Sequence, residues 1–134
     1  MRPTSRLMAA FVLGAAAMVA QAACLRCEPI LNVKDAAVAS QSNKLSEDQV
    51  RAAIIRAGAA LGWQIKEEAP GKLVGTLVLR SHTAVVDISY TANSYSIQYR
   101  SSINLNEQDG QIHKNYNGWI SNLAKGINSQ TLLN

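Results

Sequence analysis

The chain has 134 residues, 48% of them hydrophobic and 16% charged, with a formal net charge of +4. This length suits one domain, which can bury a core without a metal or several disulfides. Arg2 and Arg6 lie in a segment that we expect to be removed, which would lower the net charge to +2. Such a weak positive charge argues against nucleic acid as a partner.

The first 22 residues are typical of a signal peptide. Two arginines precede an apolar run over residues 7–20, and Ala20-Gln21-Ala22 has the small-x-small pattern of a cleavage site. We therefore expect cleavage after Ala22 and an exported protein, either periplasmic or associated with the outer membrane. The apolar run is shorter than the roughly 20 residues that span a membrane, and no other segment approaches that length, so the sequence predicts no transmembrane span.

The two cysteines, Cys24 and Cys27, follow the predicted cleavage site. Small residues before Cys24 make it a candidate for lipidation, but Gln21 stands where lipoprotein signals usually carry an apolar residue. A redox Cys-x-x-Cys pair normally needs a helix N-terminus that follows a strand, and the sequence predicts neither element here. We favour a small-loop disulfide formed in an oxidising compartment, or an idle tail, with a lipid anchor on Cys24 as the alternative.

Residues 23–45 lack a sustained hydrophobic period, and we interpret them as an N-terminal linker in which Ile30–Val33 indicates a short edge strand. The capping-box pattern of residues 46–49 starts a helix that Gly62 ends. One side of this helix is apolar and carries Val50, Ala53, Ile54, Ala57 and Leu61. Residues 46–134 are thus predicted to form a single α+β domain.

Residues 63–101 alternate between apolar and polar side chains, which is typical of strands with one buried face. Three short turns divide this segment into four antiparallel strands. The parity of the turns places Trp63 opposite Leu77, and it places Tyr90 between Gly75 and Tyr95.

The polar face of the predicted sheet carries a candidate binding surface. The predicted register places Asp87 between Val78 and Gln98, with Arg80 and Arg100 diagonal to it. An exposed row of this kind is usually a solvated set of ion pairs, but the valines make this face less polar than a solvent-facing sheet. We call this surface the outer face and define it by Val78, Arg80, Val85, Asp87 and Arg100.

A second helix follows the turn at residues 109–110. Its apolar stripe consists of Ile112, Tyr116, Trp119, Ile120, Leu123 and Ile127. We expect Trp119, in the middle of this stripe, to be a core residue, with a ligand cage around Trp119 and Tyr116 as the alternative. The predicted fold is α+β, with a four-stranded antiparallel meander sheet and two helices, one before and one after it, packed on one face.

The sequence offers little for catalysis. It contains no Gly-x-Ser-x-Gly, no phosphate-binding loop and no four-ligand metal set, and two histidines are too few for a catalytic zinc. We therefore predict no metal and no cofactor. An alternative polar site would form if the fold brought His82 close to His113 and Asn117.

A family resemblance is carried by five segments of the predicted domain: residues 60–63, 70–71, 80–90, 95–99 and 112–123, the last of which reads IHKNYNGWISNL. Together these segments resemble a family of small, uncharacterised bacterial cell-envelope proteins. Members of that family commonly carry a lipoprotein signal. The resemblance implies an envelope location and a similar fold, and it implies no activity.

We therefore expect a cell-envelope binding or structural module that acts without catalysis through the outer face. Its partner would be another envelope protein or a second copy of the chain. The alternative is an enzyme or ligand-binding protein whose polar site lies around His82 and His113.

Overall fold

The computed structural model describes residue 10, residues 14–15, residues 24–41 and residues 44–134. The predicted signal peptide lies almost entirely outside these residues. The described chain has an α+β fold whose elements are, in order, β1 (Cys27–Pro29), β2 (Val33–Ala37), α1 (Glu47–Ala60), β3 (Trp63–Ala69), β4 (Lys72–Leu79), β5 (His82–Tyr90), β6 (Ser94–Ile103), β7 (Gln111–His113) and α2 (Lys114–Leu132). Neither α1 nor α2 is long and apolar enough to cross a membrane.

The main sheet has five strands in the order β2-β6-β5-β4-β3, and β1 pairs with β7 in a separate two-stranded sheet. The predicted meander is present as β3-β4-β5-β6, but the prediction of four strands is wrong because β2 adds a fifth along β6. The segment interpreted as a linker therefore supplies two strands, and its edge strand is Val33–Ala37 rather than Ile30–Val33.

Long-range hydrogen bonds and apolar packing both hold this N-terminal segment against the sheet. The backbone amide of Asp35 donates to Ser96 Oγ at 2.9 Å, and the amide of Tyr99 donates to Asn32 Oδ1 at 2.9 Å. The partly buried side chains that pack against the core are Ile30, Val33, Ala36 and Val38. A register shift between Val33 and Ala36 interrupts the period of two, which explains why the sequence suggested a linker.

The predicted register is confirmed for β3 against β4 and for β5 against β6. It is wrong between β4 and β5, where Gly75 lies opposite Val86 instead of Tyr90. The connecting turn is only Arg80-Ser81, with Arg80 in the left-handed region at φ 57°, so the hairpin closes earlier than predicted. Both registers keep the same side chains on the apolar face, and alternation therefore could not distinguish them.

Helix α1 begins and packs as the sequence predicts. The backbone amide of Gln49 donates to Ser46 Oγ at 3.1 Å, and the amide of Ser46 donates to Gln49 Oε1 at 2.8 Å, which completes the capping box. The helix lies close to β3 at Gly58, where an added Cβ would be 2.6 Å from Ile65 Cγ1. Through this close approach, α1 covers one half of the apolar sheet face.

Helix α2 covers the other half of the same face. The rings of Tyr116 and Tyr99 meet edge to face, with their centroids 5.6 Å apart. The hydroxyl of Tyr95 donates to Asn128 Oδ1 at 2.9 Å. Because Tyr95 and Tyr99 alternate with polar residues along β6, these contacts place α2 on the apolar side of the sheet, beside α1.

Trp119 is only partly buried but packs against the core, so the prediction that it is a core residue is confirmed only in part. The fully buried apolar side chains of α2 are Tyr116, Ile120, Leu123 and Ile127, each with 0% of its surface exposed. Since a helix turns by about 100° per residue, these four lie within a narrow sector and Trp119 lies about 70° from its centre. Trp119 is therefore at the border of the buried stripe.

Candidate functional site

The outer face is open to solvent because both helices pack on the opposite side of the sheet. Val78 and Ile103 are exposed on it, with 65% and 59% of their surfaces accessible. Thr83 of β5 is paired with both residues, so the two apolar side chains lie in one row across three strands. Sequence reasoning missed Ile103 because it ended the last strand at Ser101. Alternation could not have found it, because residues 100–102 are all polar and a register shift opposite Val85 and Val86 moves Ile103 from the apolar face to the outer face.

A charged groove lies beside this apolar row. Arg100 Nη1 is 3.2 Å from Asp87 Oδ1 and 3.4 Å from Glu68 Oε1, and all three side chains are about half exposed. The groove has a volume of about 410 Å³ and is lined by Glu68, Lys72, Leu73, Asp87, Ile88, Ser89, Gln98 and Arg100. Exposed ion pairs of this type contribute less than about 1 kcal/mol each, so the cluster does little for stability.

Glu68 joins this cluster from the far side of the sheet. Strands β3 and β6 are separated by two intervening strands, a distance of about 14 Å between their backbones. The long side chains of Glu68 and Arg100 close this gap by leaning toward each other over the face. Sequence reasoning placed Glu68 on the polar side of its strand, but it did not connect Glu68 with Arg100 because no pairing rule reaches across two strands.

One residue of the predicted outer-face cluster, Arg80, lies elsewhere, and one predicted contact of Asp87 is wrong. Asp87 is paired with Val74 and Gln98, so the predicted contact with Gln98 is confirmed and that with Val78 is wrong. Arg80 lies in the turn between β4 and β5 rather than diagonal to Asp87. The β4–β5 turn lies two residues earlier than predicted, at Arg80-Ser81, and the resulting shift of register is the cause of both errors. Val78, Val85, Asp87 and Arg100 remain on the open face.

The polar residues of the alternative site are held in separate hydrogen bonds. His82 Nδ1 lies 2.7 Å from the Asn104 carbonyl oxygen at the end of β6. His113 is the N-cap of α2, where its Nδ1 accepts from the Asn115 amide at 3.2 Å. The His82 contact links the start of β5 to the chain after β6, and the His113 bond caps the N-terminus of α2.

Asn117 also makes its own hydrogen bonds, which are to the backbone of the N-terminal segment. Its Oδ1 accepts from the Leu31 amide and its Nδ2 donates to the Pro29 carbonyl oxygen, both at 2.9 Å. These bonds tie the N-terminal segment to α2. Within the described part of the chain, no group of three or more His, Cys, Asp or Glu side chains could hold a metal ion.

Cys24 and Cys27 are joined by a disulfide bond. The bond closes a four-residue loop at the start of the described N-terminal segment. A thioether-linked lipid on Cys24 would occupy the same sulfur, so the disulfide form and the lipidated form exclude each other. The pairing agrees with the interpretation that the sequence favoured.

A shallow second groove of about 540 Å³ lies over the first turns of α2, lined by Glu28, Lys114, Asn115, Asn117, Gly118, Trp119, Ser121 and Asn122. Trp119 is its one aromatic side chain, and a cage around a ligand needs several aromatic faces. Tyr116, the second member of the predicted cage, is fully buried. The groove therefore does not form the predicted cage.

Comparisons of this chain with protein-family models, with curated proteins and with solved structures find no match. The resemblance to small envelope proteins accordingly stays a prediction, as does the envelope location.

Proposed function

We propose that the chain is an exported cell-envelope protein that acts as a non-catalytic binding module through the outer face. The observation that carries this proposal is the row of Val78 and Ile103, both more than half exposed on a sheet face that α1 and α2 leave open. Covering apolar surface of this kind is favourable by about 25 cal/mol per Å². Arg100 lies on the same face, and arginine is enriched at protein interfaces.

The occupant that we propose for this face is a second copy of the chain. The charged side chains that line the groove are two basic ones, Lys72 and Arg100, and two acidic ones, Glu68 and Asp87. A partner whose charged groups all had one sign would place like charges against either the basic pair or the acidic pair. A second copy brings both signs, and two-fold symmetric contacts between identical chains are the commonest form of soluble assembly.

Val78→Asp and Ile103→Asp are each expected to weaken self-association about 100-fold, because a two-fold interface contains each buried charge twice. Sedimentation velocity over a concentration series of the exported protein measures this effect. Leu133→Asp is the matched control, since Leu133 is 77% exposed at the end of α2 and should leave association unchanged. A parent protein that is monomeric at all accessible concentrations would contradict the proposed occupant.

The occupant can also be identified in cells. A photo-cross-linking residue at Gln98, exposed on the outer face beside Asp87, should yield an adduct of twice the chain mass. Val78→Asp combined with Arg100→Glu should remove that adduct. An adduct with a different envelope protein would replace the second copy as the occupant, and the absence of any adduct would refute the outer face as a contact surface.

Export has its own test. We expect the protein isolated from cells to begin at Ala23, because Ala20-Gln21-Ala22 has the pattern of a cleavage site. Its intact mass should equal that of residues 23–134 less the two hydrogens lost in the Cys24–Cys27 disulfide. An added diacylglycerol and acyl chain on Cys24 would contradict this prediction and establish the lipid anchor instead.

A further inference from the structure

The disulfide loop lies at the N-terminus of the 19-residue helix α2. Strand β1 pairs with β7 so that Cys27 is directly opposite His113, the N-cap of that helix. The first helical amide, that of Lys114, donates to the Arg26 carbonyl oxygen at 2.8 Å. The sequence predicted no helix terminus beside Cys24 and Cys27. In the folded chain, the N-terminus of α2, which is distant in sequence, lies there.

This location favours a negatively charged sulfur. The N-terminus of a helix carries a partial positive charge, and thiolates are stabilised there. Cys27 is directly opposite His113, so the disulfide loop lies against the N-cap residue of α2. Both cysteines are only partly buried, so an external thiol can reach the bond.

Asn106 distinguishes the two sulfurs. Its side-chain Nδ2 donates toward Cys24 Sγ at 3.9 Å, whereas its backbone carbonyl oxygen lies 3.8 Å from Cys27 Sγ. After reduction, an amide donor favours the thiolate at Cys24, and a carbonyl acceptor favours the protonated thiol at Cys27. Asn106 has φ 53°, a left-handed conformation that asparagine adopts more readily than most residues.

From this arrangement we propose that Cys24 and Cys27 form a redox-active disulfide that oxidises pairs of thiols in other exported proteins. Cys24 is the sulfur that exchanges with the substrate, and Cys27 is the leaving and resolving sulfur. This activity does not depend on the outer face.

The reaction has two thiol–disulfide exchange steps. A substrate thiolate attacks Cys24 Sγ, the bond to Cys27 breaks, and its electron pair leaves on Cys27, which takes up a proton. The second substrate thiolate then attacks the substrate sulfur of the mixed disulfide, and the electron pair leaves on Cys24 as a thiolate. The substrate dithiol loses two electrons and becomes a disulfide, and the Cys24–Cys27 bond gains the same two electrons.

The first test compares the two cysteines one at a time. In Cys27→Ala, the remaining Cys24 should react with iodoacetamide at neutral pH about three times faster than Cys27 does in Cys24→Ala, since a larger thiolate fraction is only partly offset by lower nucleophilicity. A short peptide of residues 23–28 with the same substitutions gives the rates without the fold. Equal rates in the two variants, or rates no higher than those of the peptide, would overturn the proposal.

The second test isolates Asn106. Asn106→Gly keeps the left-handed backbone and the carbonyl oxygen but removes the amide donor, so it should lower the reactivity of Cys24 several-fold and leave that of Cys27 unchanged. Asn104→Gly is the matched control, because Asn104 also has a left-handed φ, 59°, and its side chain donates to Ser81 rather than to sulfur. Equal effects of the two substitutions would overturn the role of Asn106.

The third test uses the parent protein and does not depend on whether a variant folds. At equilibrium with reduced and oxidised glutathione, the Cys24–Cys27 bond should become half reduced within the range of ratios that the buffer can set. In a separate reaction without glutathione, the disulfide form of the protein should oxidise a reduced two-cysteine peptide and become reduced by the same amount. A bond that stays intact when nearly all the glutathione is reduced would be a structural disulfide and would refute the activity. This result would leave the outer-face proposal untouched.

Discussion

Replacing Tyr116 by alanine is expected to lower the free energy of unfolding by about 3–5 kcal/mol, as for other large buried side chains. Tyr116 has no exposed surface, and its ring packs edge to face on Tyr99. Ordinary domains are stable by only about 5–15 kcal/mol, so this variant should be close to unfolding at room temperature. Urea denaturation followed by tryptophan fluorescence measures the loss.

Two companion variants test the reason for this loss. Trp119→Ala should cost only about 1–2 kcal/mol, since Trp119 is partly buried and borders an open groove. An equal or larger loss at Trp119 would restore the sequence-based expectation that it occupies the core. Unfolding of this variant should be measured by circular dichroism instead of tryptophan fluorescence, because the substitution removes a tryptophan.

Tyr116→Phe should retain or raise the stability of the parent. The Tyr116 hydroxyl is buried and has no hydrogen-bond partner among the described residues, and leaving such a group unpaired costs about 1–3 kcal/mol. Burial also raises the pKa of Tyr116 above its ordinary value, which indicates that its neutral form is strongly preferred in the folded chain. A clear loss of stability in Tyr116→Phe would mean that the hydroxyl has a partner after all.

Replacing Gly75 by valine is expected to destabilise the domain by about 1–3 kcal/mol through overpacking. A Cβ at this position would lie 3.1 Å from Ile65 Cδ1, 3.1 Å from Val86 Cγ2 and 3.4 Å from Trp63 Cε3. Valine is otherwise a better strand residue than glycine, so intrinsic propensity predicts a change in the opposite direction. Thermal and urea denaturation of the variant distinguish the two effects.

A double-mutant cycle checks that the loss comes from this contact. In the Val86→Ala background, one of the two methyl groups nearest to the new side chain is absent, and Gly75→Val should cost less than it does in the parent. Additive effects of the two substitutions would contradict the steric explanation. A cycle of the same kind with Tyr90→Leu should be additive, because Tyr90 is not the residue opposite Gly75.

Local chemistry in the sequence was sufficient to predict much of the fold. The capping box at Ser46 and the left-handed Gly62, with φ 86°, bound α1, and both act within a few residues of the chain. Alternation over residues 63–101 determined which side chains face the helices, because the side-chain period of a strand is two. The outer position of Val78, Asp87 and Arg100 followed from the same rule.

The register of β4 against β5 was decided by tertiary structure. Parity determines which face a residue occupies, but it does not determine which residue lies opposite, and a turn placed two residues earlier, at Arg80-Ser81, satisfied the same parity. That turn moved Arg80 away from Asp87. Likewise, the ion pair between Arg100 and Glu68 of β3 could be identified only from the three-dimensional shape of the whole sheet.

The surroundings of Cys24 and Cys27 depended entirely on the tertiary structure. The sequence established that two cysteines lie three residues apart, and redox chemistry was disfavoured because no helix terminus was predicted beside them. Pairing of β1 with β7 places Cys27 opposite His113, and the loop after β6 places Asn106 against both sulfurs. Backbone hydrogen bonds between distant strands depend little on side-chain type, so a sequence pattern carries almost no trace of them.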